Sequence, residues 1–228
     1  YILGKDSGIS GDNTIIFATG SIMTSRFSNS SSTSGYCDYS ESDGEYTGTP
    51  PSRLYCNHYG ASWVRFNLTE IVREFSIRTD YFSAAEQSLM NATRVYTSGS
   101  LNQASYYTTD KLYLAAYSTT TMANVGSSDN VKDLSLSIYG ESTDKFWLRS
   151  PTYSYADKVY IVENKEAVTE KVDAGKYGVR PASNLNLSDV LFASAAEASA
   201  SDTSSMSCLM SDGSAMTLRL DGSSREIG

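Results

Sequence analysis

The spacing of apolar positions along the chain changes several times, and each change predicts an element. Tyr1 to Lys5 and Thr14 to Ala18 are rich in β-favouring side chains, with turn chemistry between them at Asp6-Ser7-Gly8-Ile9-Ser10-Gly11-Asp12-Asn13, so the chain opens on a predicted hairpin. From Ser28 to Gly60 the period is lost in Ser, Thr, Gly, Tyr, Asp and Glu with Pro50-Pro51, which reads as one extended loop. Val64, Leu68, Ile71, Val72 and Phe75 then fall on one helical face behind Ser62, a residue suited to the N-cap. Ser83-Ala84-Ala85-Glu86 is a capping-box sequence, in which hydroxyl and carboxylate each satisfy the other residue's amide, and it predicts a second helix with Leu89 and Met90 on its core face.

Downstream the period shortens towards two. Lys111 to Ala115 reads as a strand, and Ser118 with the threonines after it starts a short helical turn. Phe146 to Ser150 is a strand ended by Pro151; Val159 and Ile161 alternate with Tyr160 and Val162 on the next. Asn164-Lys165 turns the chain into a return strand from Ala167 to Val172, and Tyr177 to Pro181 is another strand end. Leu185, Leu187, Val190, Leu191 and Phe192 form an apolar run, residues 193–205 are a low-complexity Ala and Ser segment, and Met216, Leu218 and Leu220 alternate as a closing strand. Strands, a loop, two helices and then several short strands predict an α+β domain over 1–228, with no internal repeat of solenoid or propeller length.

Composition narrows the function classes. Eighteen Lys and Arg against 26 Asp and Glu give a net charge of −8, which repels nucleic acid and anionic lipid. Nothing approaches the roughly 18 apolar residues that span a bilayer, so no direct membrane insertion is expected, and the first residues lack the charged and apolar regions of a secretory signal. The chain reads as a domain trimmed from a longer polypeptide. Of three cysteines, Cys37 and Cys56 flank the Tyr-containing loop and are candidates for a disulfide, the alternative being three buried thiols.

Catalytic and metal chemistry find little footing. His58 is the one histidine, and no Gly-x-Ser-x-Gly turn surrounds a serine. Cys37, Cys56 and His58 lack a fourth ligand at zinc spacing. Asp38, Glu41, Asp43 and Glu45 form an acidic cluster that leaves calcium open, although the cluster lacks the Gly and the bidentate Glu of a calcium loop and suits a solvated acidic stretch better. No cofactor is expected.

Phe146-Trp147-Leu148-Arg149-Ser150-Pro151 and, further on, Gly178-Val179-Arg180-Pro181-Ala182 resemble a bacterial, Firmicutes-type family of exported domains of unknown function. Ser62 with Arg65, Phe82 with Ser83 and Glu86, and Asp110 through Ser118 match its earlier landmarks, giving a family-like core over 60–196. That family is similar to the C-type-lectin-like branch that includes formylglycine-generating enzymes. The resemblance implies a C-type-lectin-like (formylglycine-generating-enzyme-like) fold, two helices on short, mostly antiparallel strands with long loops, in a secreted or cell-surface protein. Cys208 stands alone, without the cysteine pair of the formylglycine generators, and the sugar-binding triplets of calcium-dependent lectins do not occur. Trp147, Arg149, Pro151, Arg180 and Pro181 are read as scaffold: the indole N–H needs one partner, and each planar guanidinium can hold loop carbonyls or carboxylates. Direct ligand contact is the alternative.

Tyrosine is unusually frequent, 17 in all, much of it in Ser- and Gly-rich stretches, including Tyr106 and Tyr107. Tyr offers contact area at small entropic cost and Ser and Gly let a loop adapt, as in recognition surfaces; alternatively the rings pack loops onto the scaffold. Tyr153, Tyr155 and Asp157, between two strands where lectin-like relatives expose a ligand loop, are the first candidates for a binding surface. Tyr36, Tyr39, Tyr46 and Tyr59 are the second. The expected function is a non-catalytic recognition module binding a host or neighbouring-cell protein or glycan. A structural display domain touching other domains of its polypeptide is the alternative, and an enzyme related to the formylglycine generators a distant one.

Overall fold

Short polar-flanked runs of alternating residues build this protein largely from brief strands, because few segments are long enough to bury a helical face. The structure, a computed structural model, describes residues 2–4, 13–18, 20–28, 36–38, 44–46, 53–72, 81–100, 103–117, 145–164, 166–186, 193–194 and 217–218. The first strands are β1 (Ile2–Gly4), β2 (Asn13–Phe17), β3 (Met23–Ser25), β4 (Tyr36–Asp38), β5 (Glu45–Tyr46) and β6 (Arg53–Tyr55). Helices α1 (Trp63–Ile71) and α2 (Ala84–Leu89) follow, then β7 (Met90–Asn91), β8 (Thr93–Thr97), β9 (Tyr106–Asp110) and β10 (Tyr113–Leu114). The rest are β11 (Phe146–Pro151), β12 (Lys158–Glu163), β13 (Glu166–Lys171), β14 (Tyr177–Val179), β15 (Pro181–Asn186), β16 (Ala193–Ser194) and β17 (Thr217–Leu218).

Two five-stranded sheets carry the architecture. The first runs β1-β2-β15-β10 with β7 also on β15, and the second β13-β12-β11-β14-β3. Every pairing is antiparallel except β11 with β14. A three-stranded sheet, β5-β9-β8, and the pairs β4-β6 and β16-β17 complete the described strands, so the class is α+β with two helices against mostly antiparallel sheets. The opening hairpin, the β12–β13 hairpin turning at Asn164 with φ 50°, and the backbone pairing at Leu218 follow the sequence pattern. So do both helix starts: Ser62 Oγ accepts from the Arg65 amide, and Ser83 and Glu86 close a capping box.

β11 is buried along its whole length because it lies between β12 and β14 and is covered on both faces. Trp147 faces a cluster with Phe27, Val64, Leu68, Ile161 and Val179, while Phe146 and Leu148 face another with Ile15, Phe17, Tyr113 and Val162. α1 closes the first cluster through Val64, Leu68 and Ile71.

Several expectations change. The 28–60 tract is not one loop: it contains β4, β5 and β6, and Leu54 to Gly60 is buried, because Leu54, Tyr55, Cys56 and Tyr59 supply apolar surface that the surrounding Ser and Gly conceal in any window average. Met90 caps the C-terminus of α2 and pairs in β7, so it is not on a helical face. The strand expected over 111–115 is two residues long, while β8 and β9, the latter holding Tyr106 and Tyr107, are strands that the pattern does not predict. Tyr177 to Pro181 divides at Arg180 into strands of different sheets. The Cys37–Cys56 bridge is not made: Cys56 is a buried thiol, and the Cys37 backbone stands opposite Leu54 in β4–β6. Phe75, Ser118 and residues 187–192 lie outside the described residues.

Candidate functional site

Among the described residues, the loop between β11 and β12 presents the most exposed aromatic side chains. Pro151 ends β11, and Thr152 folds the chain back by donating locally: its amide and Oγ1 both donate to the Lys158 carbonyl, at 3.1 and 3.2 Å, and Oγ1 also lies 3.2 Å from the Tyr155 carbonyl. Asn57, just after β6, pins the loop from outside. Its Nδ2 donates to the carbonyls of Tyr155 (2.7 Å) and Lys158 (3.0 Å), and its amide donates to the Ala156 carbonyl. The Val172 amide donates to the Asp157 carbonyl.

Held this way, the backbone leaves its rings outside. Tyr153 is 76% exposed and Tyr155 52%. The Lys158 ammonium sits 4.4 Å from the centre of the Tyr155 ring, a cation–π contact that fixes that ring's orientation, and Asp157 is half-buried at the end of the loop. Removing Asn57 tests whether the loop is preorganised. Asn57→Ala strips donors from two carbonyls, and a loss of about 1–3 kcal/mol in unfolding free energy is expected from urea titration, with faster amide exchange at residues 154–158. A change below 0.5 kcal/mol with unchanged exchange would show that the loop holds itself.

The second candidate group behaves differently. Tyr59, expected on a binding surface, is fully buried; its hydroxyl accepts from the Leu114 amide at 3.3 Å, and burial pushes the hydroxyl's pKa well above the usual tyrosine range. Tyr46 is half-buried and turns inward, where its hydroxyl and His58 Nε2 share a hydrogen bond of 3.0 Å. Tyr36 pairs through its backbone with Tyr55 in β4–β6, and Tyr39 lies outside the described residues. Along β9 the alternation turns Tyr106 inward and Tyr107 outward, so that tyrosine pair divides between core and surface.

Beneath these residues lies a buried polar network. The rings of His58 and Tyr106 stack with centroids 3.7 Å apart, and the Tyr106 hydroxyl accepts from the Tyr59 amide at 2.8 Å. Arg65, from α1, donates through Nε to Asp110 Oδ1 at 2.9 Å and through Nη1 to the Gly60 carbonyl, while Thr108 donates to Asp110 Oδ2 at 2.6 Å. Burial, reinforced by the Arg65 charge, lowers the pKa of His58 to about 3, so the imidazole is neutral at physiological pH.

The motif residues hold strand ends together. Trp147 Nε1 donates to the Ser25 carbonyl at 2.7 Å. Arg149 is almost fully buried, donates to the carbonyls of Leu114 (2.5 Å) and Tyr96 (3.1 Å), and has its pKa lowered by burial to about 10. Arg180 donates twice to the Ala18 carbonyl, with its guanidinium between the rings of Phe17 and Phe146 at 4.9 and 4.7 Å. Pro151 and Pro181 are buried at the end of β11 and the start of β15. A Cβ at Gly178 would collide with the Ser21 side chain, which accounts for glycine in the second motif.

The sequence reading missed Lys158 at Tyr155 and the stacked Tyr117–Tyr160 pair, 3.8 Å apart with planes 8° from parallel. Tyr160 and Lys158 are two residues apart on a predicted strand, so their shared face was available; Tyr117 comes from a distant segment and gave no such signal. Among the described residues no three His, Cys, Asp or Glu side chains gather as a metal site; Glu45 of the acidic cluster pairs with Arg94, and Glu41 and Asp43 lie outside them. No helix among them is long and apolar enough to cross a membrane.

The model of a domain of unknown function, DUF6273, matches residues 72–187, just over half of the chain, and the chain belongs to that family. The match takes in α2, both Arg motifs and the Tyr153–Lys158 loop, and begins after Ser62, His58 and Arg65. No curated protein and no solved structure matches the chain.

Proposed function

We propose that this domain is a non-catalytic recognition module of C-type-lectin-like fold, carried on an exported bacterial surface protein and binding a host protein or glycan through the Tyr153–Lys158 loop. The observation that carries the reading is two largely exposed tyrosine rings on a backbone tied down by Asn57, Thr152 and Val172. Large apolar rings in water cost solvation free energy unless a partner covers them, and a pinned backbone reduces the entropy lost on binding. The non-catalytic part of the reading is supported by His58, whose ring is buried among Tyr46 and Tyr106 and is 2% exposed.

The test is a broad glycan array and a panel of host surface proteins, with and without calcium, probed with the native domain and a Tyr153→Ala, Tyr155→Ala variant. Both rings are exposed, so the variant is expected to stay within about 0.5 kcal/mol of native stability. Saturable binding lost in the folded variant supports the reading; no binding to either panel sinks it. A second reading, a display domain docking on other domains of its polypeptide, draws support from Trp63 and Phe66, which stack at 5.1 Å on the exposed side of α1.

A further inference from the structure

Beside the exposed tyrosines lies a cationic surface in an acidic chain. β12 and β13 place Lys158 directly opposite Lys171, on the same face of the sheet. Like charges in that relation destabilise a ladder. In a chain of net charge −8 a carboxylate could readily relieve them, as Glu163 does for Lys145 at 2.6 Å. Lys158 and Lys171 instead make no ion pair among the described residues. The acidic neighbour Glu170 is committed elsewhere: Oε1 accepts the Lys171 backbone amide and Oε2 the Tyr177 hydroxyl.

The same face continues as an aromatic strip. Tyr160 follows Lys158 on β12, opposite Thr169, and stacks on Tyr117. Tyr155 lies under the Lys158 ammonium. Tyr153 is more exposed than any other large apolar or aromatic side chain described, and neither its ring nor its hydroxyl has a partner among the described residues. Two ammonium groups with no ion pair among the described residues therefore stand beside Tyr155 and Tyr160.

Resting on the recognition reading above, we propose that this patch binds a carboxylate-bearing glycan. The lysines supply the positive counter-charge to a uronate or sialate carboxylate, ring faces with negative quadrupole take the polarised C–H face of a pyranose, and tyrosine hydroxyls meet its hydroxyls. Charge complementarity selects an acidic ligand. A protein partner would call for a central apolar anchor, whereas the next pair along the same face, beside the lysines, offers Tyr160 and Thr169, with no exposed aliphatic side chain among the described residues.

The experiment is calorimetric titration of the native chain with hyaluronan, polysialic acid, neutral dextran and poly-L-glutamate at 50 and 300 mM salt. It is repeated with Lys158→Gln/Lys171→Gln, with Lys171→Gln alone, which keeps the Lys158–Tyr155 contact, and with Tyr153→Ala/Tyr155→Ala, all checked for fold by near-ultraviolet circular dichroism. The expected result is binding to an acidic glycan that weakens with salt, falls at least tenfold in the double lysine variant and several-fold in Lys171→Gln, and leaves dextran unbound. Dextran binding that is lost with the tyrosines and indifferent to the lysines overturns the acidic assignment while the recognition reading stands. Poly-L-glutamate binding as tight as either glycan overturns the glycan class in favour of an acidic protein. Silence towards every probe overturns the inference, and the recognition reading fails with it only if the glycan and protein panels are silent too.

Discussion

Between pH 7 and pH 5 the native protein is expected to lose about 2 kcal/mol of unfolding free energy, and the whole of that loss should disappear in His58→Phe. The imidazole has its pKa lowered from 6.5 to about 3 because it is buried and near Arg65. A folded-state value below the unfolded one means the unfolded chain takes up the proton first. Stability is therefore full above pH 6.5, falls by about 1.4 kcal/mol for each pH unit below it, and stops falling on this account near pH 3, a total on the order of 5 kcal/mol. Carboxylates with ordinary values near 4 contribute little above pH 5, and His58 is the only histidine, so the pH 5–7 interval isolates one residue. Phenylalanine keeps a ring against Tyr106 but loses the Tyr46 hydrogen bond, so the variant should be less stable at pH 7 and flatter across the interval. Urea titrations at half-unit steps decide it. Equal slopes in the two proteins would mean that the imidazole accepts its proton without leaving the fold.

Trp147→Ala is expected to cost about 4 kcal/mol, close to the limit a domain of ordinary stability survives. The indole is fully buried and meets Phe27 edge-on at 5.6 Å and Tyr177 at 4.8 Å; its N–H holds the Ser25 carbonyl at the end of β3. Truncation opens a cavity where β11, β14 and β3 converge and leaves that carbonyl unpaired in the interior. Trp147→Phe separates the two contributions: it fills much of the volume and forfeits the hydrogen bond, for an expected loss of about 1–3 kcal/mol. Chemical unfolding followed by far-ultraviolet circular dichroism should rank native above Phe above Ala. An alanine variant within 1 kcal/mol of native would mean that the site collapses around the smaller side chain and that the Trp is not a keystone of this sheet.

Legibility in the sequence followed the range of the interaction. Both helix starts were readable because Ser62 with Arg65 and Ser83 with Glu86 act within one turn, and the β12–β13 hairpin was readable because its alternation and its turn are contiguous. The exposure of Tyr153 and Tyr155 follows from their place just beyond a proline-ended strand. The burial of Tyr106 was not readable, because identical side chains in similar Ser- and Gly-rich surroundings go to core or surface according to strand parity, and that of Tyr59 involves the Leu114 amide, 55 residues away. Asn57 was silent for a related reason: the carbonyls it holds are about a hundred residues away, and an amide side chain carries no periodic signal. The sequence does place a guanidinium at the end of each of two strands, yet only the folded chain shows which carbonyls Arg149 and Arg180 hold.

The β2–β15 ladder couples residues 13–17 to residues 182–186, and Arg180 fastens its end to Ala18. During synthesis β2 leaves the ribosome long before its partner exists, and for well over a hundred residues one edge of the opening hairpin stays unpaired. Closing so long a loop is slow, so the last strand to arrive completes the sheet begun by the first. A nascent or clipped chain ending before Pro181 consequently retains most of its residues while exposing a bare strand edge, the form of the protein most prone to pair with its own copies.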